Sequence, residues 1–88
     1  MSLIGIASLA GITSDSLKSL VMGKVSTNVG YRLGIMKSSL QSFIDGQATT
    51  SVAGLLGTTT SNAQELRNLI GREGAIGLIL RLCMERKI

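Results

Sequence analysis

Apolar side chains recur along the chain in short runs at helical spacing, and the runs are separated by glycine and by clusters of Ser and Thr. With no proline anywhere, glycine supplies the punctuation, and breaks fall at about Gly11, Gly23, Gly46, Gly57 and Gly71. Residues 3–10 are apolar and predict a first helix. Residues 14–22 predict a second behind a Thr13 cap, with Leu17, Leu20 and Val21 on one face. Between 28 and 45 the apolar positions Val29, Leu33, Met36, Leu40 and Phe43 alternate steps of four and three. That is heptad spacing, and it predicts one long helix with Thr27 as N-cap and Gly46 just past its end.

Gly30, Gly34 and Ser38 form a parallel series spaced by four. Glycine inside a helix costs about 1 kcal/mol relative to Ala, so close approach of another backbone is expected there, from a neighbouring helix of the same chain or from a second copy. Residues 47–60 read as loop, short helix around 52–56, then loop. Ser61 followed three residues later by Gln64 reads as a capping box, opening a helix with Ala63, Leu66, Leu69 and Ile70 inward. From 73 to 86 apolar residues face nearly every direction: Ala75, Ile76, Leu78, Ile79, Leu80, Leu82, Cys83 and Met84. A helix of that kind needs cover on all sides. The pattern predicts an all-α fold: a single domain over 1–88, a small bundle of four to five short helices completed by packing between subunits.

Composition sharpens that expectation. Lys and Arg number 9 and Asp and Glu 5 in 88 residues, whereas 44% of the chain is hydrophobic. Hydroxyls and glycines supply most of the remaining polar surface, and both can be buried against protein without the desolvation cost of a charge. Aromatic residues are only Tyr31 and Phe43, so a core must be built from Leu, Ile and Met. A chain this short buries only about 60% of the surface it exposes when unfolded.

Catalysis has little raw material. There is no His, the acids Asp15, Asp45, Glu65, Glu73 and Glu85 are scattered, and Arg81 with Glu85 forms an i, i+4 pair. Cys83 is the one cysteine, so no intrachain disulfide forms and a reducing compartment is the expectation. Neither zinc-ligand nor phosphate-loop spacing occurs, and no cofactor or small-molecule substrate is expected. The apolar run at 75–84 is about half the length that spans a bilayer, so no transmembrane insertion is expected, and no secretory signal is read at the N-terminus.

The stretch LIGIASLAGITSDSLKSLVM at 3–22 resembles a helix-turn-helix of the lactose-repressor headpiece type, over residues 3–43. Ala7 matches the tight helix crossing, Gly11 the turn, and Ile6, Ala10, Ile12, Leu17 and Leu20 the buried positions. The resemblance implies that Ser14, Asp15 and Ser16 open a recognition helix while Lys18, Lys24 and Arg32 meet phosphates. The other basic residues, Lys37, Arg67, Arg72, Arg81, Arg86 and Lys87, spread over the whole length.

Three function classes follow. The leading expectation is a structural subunit that packs with copies of itself and other structural proteins, in a viral particle such as a phage tail, neck or internal component. A secretion rod or pilus-like filament comes next. Its expected interface is a seam of Val29, Leu33, Met36, Leu40 and Phe43, a groove at Gly30 and Gly34, and Ile76, Leu78, Ile79 and Leu82 buried between subunits, with location in the virion or the cytoplasm. DNA binding through the helix-turn-helix is the alternative. A membrane-active helical protein is the third.

Overall fold

The computed structural model describes residues 2–86, and these contain six helices and no strand. They are α1 (Leu3–Ala10), α2 (Ser14–Val21), α3 (Thr27–Leu33), α4 (Lys37–Asp45), α5 (Thr50–Leu56) and α6 (Thr60–Glu85). The all-α class agrees with the sequence reading, with a larger number of helices. Five of the six starts carry a hydroxyl cap: Ser2, Thr13, Ser26, Thr49 and Thr59 each accept a backbone N–H from the first turn of the helix they open. Such caps occupy donors that the helix itself leaves unpaired. Gln64 is engaged elsewhere and Ser61 lies inside α6, so the capping box expected at 61–64 is replaced by the simple Thr59 cap.

The single helix expected over 28–45 is not formed. Gly34 adopts the left-handed conformation at φ 74, ending α3, and Met36 is extended at the start of α4. The even four-three spacing arises because two separate helices each turn an apolar face to the same core. Ser26, rather than Thr27, caps the first of them.

Comparison of the turns exposes a period that the helix-by-helix reading passes over. Gly11, Gly34 and Gly57 stand 23 residues apart, and all three are left-handed, at φ 68, 74 and 73. Each is followed by the same backbone bond: Ile12 N–H to Ala7 O, Ile35 N–H to Gly30 O and Thr58 N–H to Ala53 O, at 3.1, 3.1 and 3.0 Å. The N-cap positions of the second helices are Thr13, Met36 and Thr59, again with that spacing. The chain is therefore three α-hairpins in tandem, α1–α2, α3–α4 and α5 with the first part of α6. Core positions repeat with them: Leu17, Leu40 and Ala63 are buried at one site, Ala7, Gly30 and Ala53 at another.

A repeated side-chain clamp joins one hairpin to the next. Gln41 accepts the N–H of Val25 at 2.9 Å and donates to the carbonyl of Gly23 at 2.8 Å. Gln64, in the same place one hairpin on, accepts from Ala48 and donates to Gly46, both at 2.9 Å. Each primary amide thus satisfies both polarities of the exit loop it covers.

At Gly71 the backbone leaves helical geometry (φ 72, ψ −176) and α6 bends. The segment beyond the bend begins like the first helix of a fourth hairpin, because Ala75 and Ile79 fall in register with Val29 and Leu33. Leu80 then stands where Gly11, Gly34 and Gly57 end the earlier helices, and this helix continues to Glu85. α6 packs on each of the five preceding helices. Ala75, Ile79 and Cys83 are buried there, while Ile76, Leu78, Leu80 and Leu82 are half-buried. The hairpins therefore wrap this helix instead of extending as an open stack. The Cα radius of gyration, 12.0 Å, matches the roughly 12 Å expected for a compact chain of this length.

Gly57→Ala isolates the turn geometry, since an added Cβ there meets nothing within 4 Å. It is expected to lower the unfolding free energy by about 1–2 kcal/mol in urea denaturation, from the left-handed backbone alone. Gln64→Ala leaves an exit-loop N–H and carbonyl without their partner and is expected to cost about 1–3 kcal/mol.

Candidate docking surfaces

The structure draws most of the expected interface inward. Val29, Leu33, Leu40, Phe43 and Ile79 are buried in the chain's own core, so they are not available to a partner. Ile76, Leu78 and Leu82 are half-buried against that core. Gly30 does permit a close approach, but the neighbour is its own turn: a Cβ there would lie 2.8 Å from the carbonyl oxygen of Ile35. Gly34 is needed for its positive φ, with the Arg86 guanidinium at ordinary contact distance. Of the proposed seam only Met36 faces outward, 74% exposed.

Three of the arginines bond helix carbonyls of their own chain. Arg32 donates to the carbonyls of Cys83 and Arg86 at the end of α6, at 3.0 and 2.7 Å. Arg67 donates to Phe43 and Ile44 at the end of α4, both at 2.7 Å, and Arg86 donates to Leu33 at the end of α3. Helix C-termini carry unpaired carbonyls and partial negative charge, which a guanidinium satisfies. Arg81 pairs with Glu85 at 2.9 Å, and Arg72 lies against Gly23. Of the residues that the helix-turn-helix resemblance assigns to DNA, Ser16 is buried and bonded to Thr13 and Ser26. Arg32 is bound as described. Ser14 is half-buried, and Lys18 and Lys24 are exposed.

The three hairpins act as controls for one another at their exposed positions. Where the second and third hairpins place Thr27 and Thr50, the first places Ile4; where they place Asp45 and Asn68, it places Met22. All six are exposed. The fold accepts polar residues at these points, so the apolar ones are not required for folding. The second hairpin departs in the same direction. Tyr31, 81% exposed, replaces Ser8 and Gly54, and Met36 takes the cap position held by Thr13 and Thr59. Met36 makes no cap hydrogen bond. Tyr31, Ile35, Met36 and Lys37, with Gly30 and Ser51, border a groove of about 670 Å³. Sequence reasoning passed over Ile4, Met22 and Tyr31, although a comparison of residues 23 positions apart would have singled them out.

Among the described residues no group of three or more His, Cys, Asp or Glu lies close enough to hold a metal ion, and no helix is long and apolar enough to cross a membrane. Comparison with family models, with curated proteins and with solved structures finds no match to this chain.

Burial pushes the Cys83 thiol above its ordinary value, against the opposing pull of the Arg32 guanidinium. A raised thiol value means that the unfolded chain ionises first. Stability is then unaffected below about pH 8.5 and falls as pH rises from there through the folded-state value. Urea midpoints across that range are expected to decline less in Cys83→Ala than in the parent. A thiol reagent should label Cys83 only on unfolding; rapid labelling of the folded protein contradicts its burial.

Proposed function

We propose that this chain is a non-enzymatic structural subunit that works by docking apolar hairpin surfaces onto neighbouring proteins in a larger assembly. The observation that carries the reading is the pairing of exposed Tyr31 and Met36 beside the groove, at positions where the sibling hairpins hold Ser, Gly and Thr. Replacing a capping Thr by a non-capping residue costs about 1 kcal/mol. An exposed methionine there supplies no cap hydrogen bond, whereas methionine and tyrosine side chains at a surface suit protein contact. The exposed large hydrophobics, with few charges among them, fit a particle component better than a free monomer. A viral particle, as a phage tail, neck or internal component, is the setting this composition suits best.

DNA binding is the second reading, favoured by one observation. The spacing of small residue, turn glycine and apolar helix position at Ala7, Gly11 and Leu17 recurs at Gly30, Gly34 and Leu40 and again at Ala53, Gly57 and Ala63. Lys18, Lys24 and Ser14 are then its contacts. It ranks lower because Arg32, the arginine assigned to phosphate, is bound to the carbonyls of Cys83 and Arg86 and Ser16 is buried. Duplex binding that weakens steeply with added salt is its signature, and absence of such binding removes it.

Met36→Thr separates folding from docking. Restoring the cap is expected to raise the unfolding free energy by about 1 kcal/mol in urea denaturation. Light scattering at matched concentration is expected to show less of the large species formed by the parent. A parent protein that stays a monodisperse monomer at high concentration, or a Met36→Thr variant that assembles unchanged, counts against the reading.

A further inference from the structure

The clamp that joins successive hairpins has a direction, and it leaves an unlike surface at each end of the series. Every hairpin after the first sets its second helix on the exit of the one before. Gln41 reaches Gly23 and Val25, Gln64 reaches Gly46 and Ala48, and Arg67 reaches the carbonyls of Phe43 and Ile44. The first hairpin has the same face with nothing before it. Lys18 stands in the place of the two glutamines and is exposed where they are half-buried. Val21 stands in the place of Ile44 and Arg67, and is 60% exposed while Ile44 is 0% exposed.

At the other end, the exit of the third hairpin is the bend at 69–73. Leu69 occupies the position of Gly23 and Gly46, and its side chain is 84% exposed. Arg72 and Glu73 are both exposed at this bend; the Arg72 guanidinium lies over Gly23 of its own chain, and Glu73 has no hydrogen-bonded or ionic partner among the described residues. The open face offers an ammonium and an apolar side chain. The bend offers a carboxylate and an apolar side chain.

We propose that the protein associates head to tail, the Lys18 and Val21 face of one copy seating on the 69–73 bend of the next, so that the junction between hairpins continues from chain to chain. Lys18 donates where Gln41 Nε2 donates within the chain, and it faces Glu73. Val21 packs on Leu69. Because the two surfaces differ, the contact is heterologous and generates either a ring or an open filament. This inference rests on the reading of the chain as an assembly subunit and adds, outside the groove, a contact whose occupant is a second copy.

Val21→Glu and Leu69→Glu test it in sedimentation velocity. Both positions are exposed, and each variant should melt within a degree or two of the parent. Alone, each is expected to sediment as a monomer at concentrations where the parent forms larger species. Mixed at equal concentrations, they should form a species of twice the monomer mass and nothing larger, since one supplies an intact bend and the other an intact face. A mixture that stays monomeric overturns the head-to-tail contact, as does either variant assembling like the parent. In that last case loss of assembly in Met36→Thr still supports docking through the groove, so failure of this contact is distinct from failure of the docking reading.

Discussion

The left-handed glycine at the hairpin turn is the constraint on which the rest of the structure depends. At Gly11, Gly34 and Gly57 the chain leaves one helix and enters the next within three residues, a reversal that puts φ where side chains with a Cβ are strained. The short turn brings two helices together, and three turns at one period give three hairpins of nearly the same shape. Identical shape lets one solution serve twice at the junctions, with Gln41 and Gln64 meeting the same pair of backbone groups 23 residues apart. Where Leu80 replaces the turn glycine, the repetition stops and a long helix forms for the hairpins to wrap.

That wrapping changes the meaning of the chain's hydrophobicity. The apolar content appears too large for 88 residues to shelter, yet Phe43, Leu40, Val29 and Ile79 are sheltered by the chain itself. The excess that reaches the surface is smaller: Leu3, Ile4, Leu9, Val21 and Met22 on the first hairpin, Tyr31 and Met36 on the second, Leu69 at the third exit and Met84 near the end of α6. A fold made of repeats tells which of these are incidental, because a sibling position shows what folding alone requires. By that standard Met36 stands out, since a capping hydroxyl is absent where both siblings have one.

Much of the fold was legible in the sequence. Glycine stops and the Thr13 cap placed the first two helices, and the short helix near 52–56 and the break at Gly71 were visible from residue type, whereas the caps expected at Thr27 and Ser61 fall instead at Ser26 and Thr59. The continuous helix over 28–45 misled because burial imposes periodicity on any helix facing a core, and two helices separated by a suitable turn keep an apparent common register. The candidate interface was less legible. Burial depends on tertiary packing that spacing does not encode, so Val29 and Met36 looked equivalent until the turn at Gly34 sent one inward and the other out. The roles of Arg32, Arg67 and Arg86 were equally hidden, because the carbonyls they serve lie more than twenty residues away.

The claim at the centre of this account is that the outward apolar side chains of the first two hairpins serve contact with other molecules and contribute nothing to folding. A fourfold variant in which four of these side chains take the residue of a sibling hairpin, Ile4→Thr, Met22→Asn, Tyr31→Ser and Met36→Thr, puts it to thermal unfolding together with sedimentation. A melting temperature at or above that of the parent is expected, with assembly weakened. A variant that melts well below the parent, or that assembles as the parent does, contradicts it.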